Sequence, residues 1–424
     1  VAVNFYLNHT WLLSDYKINA SNFYYEFTNN IQTEKLLIEG EAEKLWSNNQ
    51  SILLTTEETK AFTKIDSVMQ NFSFAQKMIM GLMRFSVEGF GDLPLTNFND
   101  FYHFNRVEGH YGGVGLQLKS LVPETEVSLK IGYGFSDKTT KYKFSAKYIL
   151  NSFSLKFGLF KDLQKLNQFF NYSAFELTYQ SWVEKNDFFD YYYSKGILAE
   201  VNYNLDKDFI IGVGFTKRND TNAKVNTDWS LFNKDGFYRP QRDINEGEVT
   251  NYSLSIRHDN KKFYDLSIFR FPDYSYDFID TELKITRGFY RNKVDESFWQ
   301  LHLKIFGSLN STGIINPRYT LLAGSSSGKD LYQNRFHLPG MFAYMSSMTS
   351  FSSIRGDDYL GNKYFCLFVE NNFRNIPFKA FGIPFLKESN YDFVIFGKYG
   401  WINDPDKSNI SFKVYEAGFS LANV

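Results

Sequence analysis

From about Asn105 onward the chain alternates between apolar and polar residues with a period of two. In Val127-Ser128-Leu129-Lys130-Ile131-Gly132-Tyr133-Gly134-Phe135 the apolar side chains take the odd positions and small or polar ones the even positions. Leu155–Leu159, Ile197–Leu205, Phe209–Phe215 and Trp299–Ile305 repeat the pattern, and each is flanked by polar stretches rich in Asn, Asp, Lys and Gly. Successive side chains of a strand point to opposite faces, so these are strands with one apolar face.

A soluble sandwich also alternates, so the make-up of the two faces has to decide. The polar face carries Lys, Glu, Asn, Gln and many Gly, whereas the apolar face is Phe, Tyr, Leu and Ile from end to end. Aromatic residues reach 19% of the 424, with 45 Phe and 29 Tyr, while charged residues stay at 22%. A bilayer-spanning barrel needs that many rings for the girdles at its two interfaces, around a polar interior. At about 20 to 25 residues per strand and connection, the roughly 320 residues after Asn105 hold about 14 strands. The expected fold is all-β, a transmembrane antiparallel β-barrel of a bacterial outer membrane, with outer-membrane lipids against its greasy face.

The formal net charge of −1 leaves no basic footprint, which excludes nucleic acid as a partner. No run approaches the roughly 18 apolar residues of a transmembrane helix. Val1 opens the chain without a recognisable signal peptide, which reads as a processed or truncated start. Cys366 is the only cysteine, so neither an internal disulfide nor a cysteine metal cluster is available. The six His are scattered, and neither metal-ligand spacing nor a phosphate-cradling glycine loop occurs. His302, which alternates with Gln300 and Lys304, reads as a polar interior residue. No cofactor, metal or catalytic centre is expected.

Ahead of this region the reading is mixed. An extended start, Phe5 to Trp11, precedes a helix opened at Thr55, with Glu58 at capping-box spacing and Phe62, Ile65, Val68 and Met69 on one face. Phe74 to Phe85 reads as a second apolar helix, its Met residues serving as packing. The division expected is a short mixed periplasmic segment, 1–104, and a barrel, 105–424, with Asn105 to Glu108 as the junction.

The run Phe351-Ser352-Ser353-Ile354-Arg355-Gly356-Asp357-Asp358-Tyr359, followed by Lys363 to Phe373, resembles the sixth loop and twelfth strand of the BamA-type barrel superfamily. In that family a hydrophobic-Arg-Gly-aromatic motif folds back into the lumen and its Arg meets an acidic residue on the next strand. The resemblance implies that Arg355 and Gly356 lock an infolded loop, although Asp357 stands where the aromatic is usual. If Phe365, Leu367, Val369 and Phe373 face lipid, then Tyr364, Cys366, Phe368, Glu370 and Asn372 face inward. Glu370 is thereby expected to receive Arg355 in a charge-assisted pair, the alternative being an Arg355 in a solvated external loop with Glu370 an ordinary interior charge. Phe393 to Trp401 resembles the thirteenth strand, but Lys398 replaces the acid that would give Arg a second partner, and would repel Arg355.

Leu45-Trp46, the Thr55 helix with Lys64 to Ser67, Phe104-Asn105-Arg106-Val107-Glu108-Gly109, Tyr133 to Lys138 and Met345 to Glu370 together resemble uncharacterised Bacteroidota outer-membrane barrels that carry a carboxypeptidase-regulatory-like domain upstream. Asn409 to Val424 resembles the fourteenth strand of a superfamily barrel of about 16 strands, so the last two strands are expected to be absent from this chain.

The function that this resemblance implies is non-enzymatic help in inserting or translocating outer-membrane proteins or surface lipoproteins. A weakly paired seam would accept a client strand by β-augmentation. Gly112, Gly113 and Gly115, placed on the presumed first strand, would weaken its pairing. The alternatives are a passive porin or uptake channel, or a structural subunit of a larger outer-membrane complex.

Overall fold

Alternating segments joined by short polar connections produce strands that pair with their sequence neighbours, and the computed structural model of the chain follows that rule. It describes residues 95–96 and 98–423, apart from 120–122, 167–173, 267–268, 273–275, 311–314, 342–348, 356–358, 383–385, 387–390 and 408–410. The expected strand at Phe5 to Trp11, the helix at Thr55, the apolar run Phe74 to Phe85, and Gly356 lie outside the described residues. The chain divides into two compact units, Val1–Ile79 and Met80–Val424. Residues from Leu95 on thus belong with the sheet, and the unit boundary precedes the expected division at 104/105.

The elements are β1 (Tyr102–Asn105), β2 (Gly109–Lys119), β3 (Thr125–Gly134), β4 (Thr139–Leu150), β5 (Phe153–Lys165), helix α1 (Ala174–Glu184), β6 (Tyr191–Asn204), β7 (Phe209–Asn222), β8 (Gly247–Asp259), the small hairpin β9 (Phe263–Leu266) and β10 (Phe269–Pro272), β11 (Phe278–Arg291), β12 (Asp295–Ser308), β13 (Pro317–Gly328), the short β14 (Phe336–His337), β15 (Gly340–Met341), β16 (Phe351–Arg355) and β17 (Leu360–Gly361), then β18 (Lys363–Asn372), α2 (Ile376–Ala380), β19 (Tyr391–Asn403) and β20 (Ser411–Asn423). One antiparallel sheet of 14 strands takes the order β1-β2-β3-β4-β5-β6-β7-β8-β11-β12-β13-β18-β19-β20. Most of its strands run 10 to 14 residues, enough to cross a bilayer when tilted.

The sheet curls. Lys143 of β4 and His302 of β12 line one cavity of about 310 Å³, although six strand spacings, about 29 Å in a flat sheet, separate them in the order. Its convex face carries the apolar half of each alternation and leaves it bare: Phe157, Val201, Val213, Leu254, Leu301 and Phe419 are all exposed. A water-soluble sheet buries that half, so this face is built for an apolar surround. Aromatic rows edge it. Phe215, Tyr252 and Phe289 are successive neighbours at 5.4 and 6.2 Å, with the Arg287 guanidinium 4.9 Å over Trp299. Toward the opposite end Phe153 meets Tyr203 at 4.7 Å and Phe393 meets Phe419 at 5.9 Å.

The two ends of the sheet differ. The three longest connections, β5–β6, β7–β8 and β13–β18, all lie at one end, whereas the other has the short β2–β3, β4–β5 and β6–β7 turns together with the intermediate β8–β11 and β18–β19 connections.

Candidate functional site

The longest connection, 329–362 between β13 and β18, turns back into the concave side of the sheet. Leu331 packs with Val249, Tyr290 and Phe298 of β8, β11 and β12. Gln333 and Asn334 then replace strand-to-strand contacts with their own. The Asn334 carbonyl accepts from Gln300 Nε2 (2.7 Å), its Oδ1 accepts from Arg218 (3.1 Å), and Gln333 Nε2 donates to the Asn245 carbonyl (2.9 Å).

Phe336, fully buried, lies on the inner wall, 4.8 Å from the Tyr364 ring and 6.2 Å from His302. Gly324 makes room for it, since a Cβ there would lie 2.5 Å from the Phe336 ring. His302 is therefore an interior residue, as expected, with Nε2 2.8 Å from the Tyr364 hydroxyl. On the return leg Phe351 packs on Phe368 (4.9 Å) and over Gly400, where a Cβ would meet its ring at 2.6 Å. Together with Leu338, Ile354, Cys366, Ile402 and Val414 these rings form the largest apolar core of the sheet, so the connection is held mainly by burial.

The ion pairs differ from the expected lock. Arg335 is the pinning cation. Its Nη1 and Nη2 reach the two Asp406 oxygens at 2.5 and 2.9 Å, a bidentate fork onto the β19–β20 turn, while Nε binds Asp330 at 2.9 Å. These hydrogen bonds hold the Asp406 carboxyl below its usual range. Arg355 is exposed, at the end of β16. Glu370 is buried, and its partner is Arg318 at 3.1 Å, directly opposite it on β13. Lys398 has partners other than those expected. It donates to the Ser350 carbonyl at 2.6 Å and lies 3.5 Å from Glu416, its cross-strand neighbour. Glu416 in turn accepts from the Ser353 N–H and hydroxyl, both at 2.7 Å. Lys398 thus holds the connection through its backbone.

The glycines expected at a seam also take another role. Gly112, Gly113 and Gly115 sit on β2, the second strand, because the sheet begins at Tyr102. A Cβ at Gly113 would lie 2.7 Å from the Asp100 carbonyl, and one at Gly115 would collide with Thr96. Gly113 and Gly115 thus seat Asp100 and Thr96, and the Thr96 N–H donates to the Gly115 carbonyl at 3.0 Å, whereas a Cβ at Gly112 would meet only the Phe135 ring.

Asn105 to Glu108 is a turn between β1 and β2, at the end with the long connections, and not a junction. The Asn105 side chain accepts from the Val107 and Glu108 N–H groups at 3.0 and 2.8 Å, an Asx turn. Gly109 follows with a left-handed φ of 62°. The turn is buried beneath α1 and the 223–246 connection. Arg106 donates to the Asp187 carbonyl and, at 2.8 Å, to Asp190. Glu108 meets Lys141 at 3.0 Å and His103 at 2.8 Å. Burial pushes the Glu108 carboxyl up, but His103 and Lys141 outweigh it and hold it down at about 2.

A depressed carboxylate stabilises the fold fully above its unfolded value, about 4.3, and that stability is lost as pH falls toward 2. The unfolding free energy measured in urea is therefore expected to fall between pH 6 and pH 3 by about 1.5–2 kcal/mol more in the native protein than in Glu108→Gln. Equal drops in both proteins refute this.

β1 and β20 are the two ends of the strand order. The β20 edge offers 13 residues. That of β1 is partly capped, for the Phe104 N–H, turned away from β2, donates to Thr178 Oγ1 of α1 at 3.1 Å.

No protein-family model and no curated protein matches the chain. Among solved structures, CdiB from Acinetobacter baumannii aligns with a TM-score of 0.37 and 13% identity, over 76% of this chain and 51% of its own. BamA from Haemophilus ducreyi lacking POTRA domains 1-3 aligns with a TM-score of 0.41 and 12% identity, over 76% of this chain and 67% of its own. The chain thus spans about half the length of that CdiB structure. Overlaps at this level assign neither a family nor an activity.

Proposed function

We propose that this chain forms the wall of an outer-membrane β-barrel that assists the insertion or translocation of outer-membrane proteins or surface lipoproteins, without catalysis. The bare apolar convex face and its two aromatic rows support the membrane setting. The three longest connections share one end, which fits an external side, with the opposite end and the N-terminal segment periplasmic.

The observation that carries the assembly role is the infolded connection. A pore for solutes needs an open interior, whereas here Phe336, Phe351 and Arg335 anchor 329–362 across the inner wall. A wall filled in this way has its edges left as working surfaces, and the unpaired side of β20 suits pairing with a client strand. Other subunits of an outer-membrane complex are further partners on this reading. One observation favours the passive-channel alternative: the connection leaves a polar cavity of about 310 Å³ beside it.

Two measurements separate the readings. Depleting the protein and surveying surface proteins is expected to show loss of a defined set of barrels or lipoproteins, with little steady conductance from the purified protein in planar bilayers. An unchanged surface together with steady conductance and a solute-uptake defect supports the channel and defeats the assembly role.

A further inference from the structure

The cavity beside the infolded connection has a charge pattern that neither role requires. Its walls are the inner faces of β4 to β8, β11 and β12, and its roof is Gln333, Asn334 and Arg335. At about 310 Å³ it sits at the lower end of small-molecule pockets. Lys143, Arg218, Lys284, His302 and Arg335 line it, and no aspartate or glutamate does.

Two of the four Lys and Arg side chains are already committed. Arg218 holds Asp220 at 2.9 Å and Arg335 holds Asp330 and Asp406. Lys143 and Lys284 form no ion pair among the described residues. Asp162 lies near enough to feel the charge of Lys143 but does not line the cavity. Two uncommitted ammonium groups on β4 and β11, on well-separated parts of a curled wall, suit a ligand with anionic groups at two ends.

The remaining lining indicates what joins those ends. Gln164, Thr216, Ser253 and Thr286 offer hydroxyl and amide groups. Asn251, also in the lining, keeps a buried Oδ1 without a hydrogen-bond partner. A buried acceptor left in this state calls for a donor, which a ligand hydroxyl supplies. We propose that this cavity binds a small polyanion carrying phosphate groups on a hydroxyl-rich body, of the sugar-bisphosphate class. Bound there it touches both the strands and the roof residues of the infolded connection, and so ties the connection to the wall.

The test is calorimetric titration of the full chain in detergent micelles at fixed ionic strength, with fructose bisphosphate as the probe and fructose and inorganic phosphate as controls. The bisphosphate is expected to bind saturably at one equivalent, phosphate more weakly, and fructose not at all. Lys143→Gln with Lys284→Gln is expected to weaken binding about a hundredfold, at about tenfold per charged hydrogen bond. Neither lysine forms an ion pair among the described residues, and Leu198→Trp, which fills the cavity from its wall, gives a second and independent loss. No saturable binding of the bisphosphate, or binding unchanged in the double variant and in Leu198→Trp, overturns the proposal. Binding is read on the isolated protein, so either outcome leaves the assembly role to its own test.

Discussion

Replacing Phe336 by alanine is expected to free the infolded connection and turn a quiet protein into a leaky one. The ring is fully buried between Tyr364, His302 and the surface of Gly324. Removing it forfeits the burial and leaves a cavity, together about 3–5 kcal/mol. Steady conductance in planar bilayers should rise, and added protease should cut within 329–362. Arg335→Ala should move both readouts in the same direction by less, about 1–2 kcal/mol. The Asp406 side chain is 65% exposed, so it returns to water once the fork is gone. Arg355→Ala should change neither, because that side chain is exposed and has no carboxylate partner among the described residues. A Phe336→Ala protein as silent and protease-resistant as the native one would show that the connection is held elsewhere.

The contrast between Arg335 and Arg355 marks how far a sequence can be read. The period of two is local, so the inward set Tyr364, Cys366, Phe368 and Glu370 could be assigned from the strand alone, and all four are buried. Which cation meets Glu370 depends on register, and register is set by turns and neighbouring strands. Arg318 stands directly opposite Glu370, as Glu416 stands opposite Lys398, but nothing within either strand says so. The pinning fork joins Arg335 to a turn 71 residues later, a separation that no short motif spans. Asn105 and Gly109 did carry turn chemistry. The four-residue β1 before them is too short to show alternation, so the sequence pattern starts with β2 and puts its glycines on the first strand.

Arg106→Ala is expected to be the other severe change, and its reach should extend beyond its own turn. Arg106 is wholly buried, with Nη2 on Asp190 at 2.8 Å and on Gln241 at 2.9 Å. Deleting one partner of a buried pair leaves the other charge desolvated, typically a loss of about 3–5 kcal/mol. Arg239 at 3.1 Å and Arg242 at 3.6 Å remain beside Asp190, which places the loss toward the lower figure. Arg106→Lys should fall between, keeping the charge but not the fork. Arg242 also donates to the Tyr332 hydroxyl at 3.3 Å, and Arg335 sits 5.0 Å over the Tyr332 ring. The buried turn and the infolded connection therefore share a chain of contacts, Arg106 to Asp190 to Arg242 to Tyr332 to Arg335. Sites joined in this way do not add independently, so the double variant Arg106→Ala with Arg335→Ala should deviate from additivity by about 0.5 kcal/mol or more in urea unfolding. Strict additivity would mean that the buried turn and the infolded connection open separately, and that whatever loosens the one leaves the other shut.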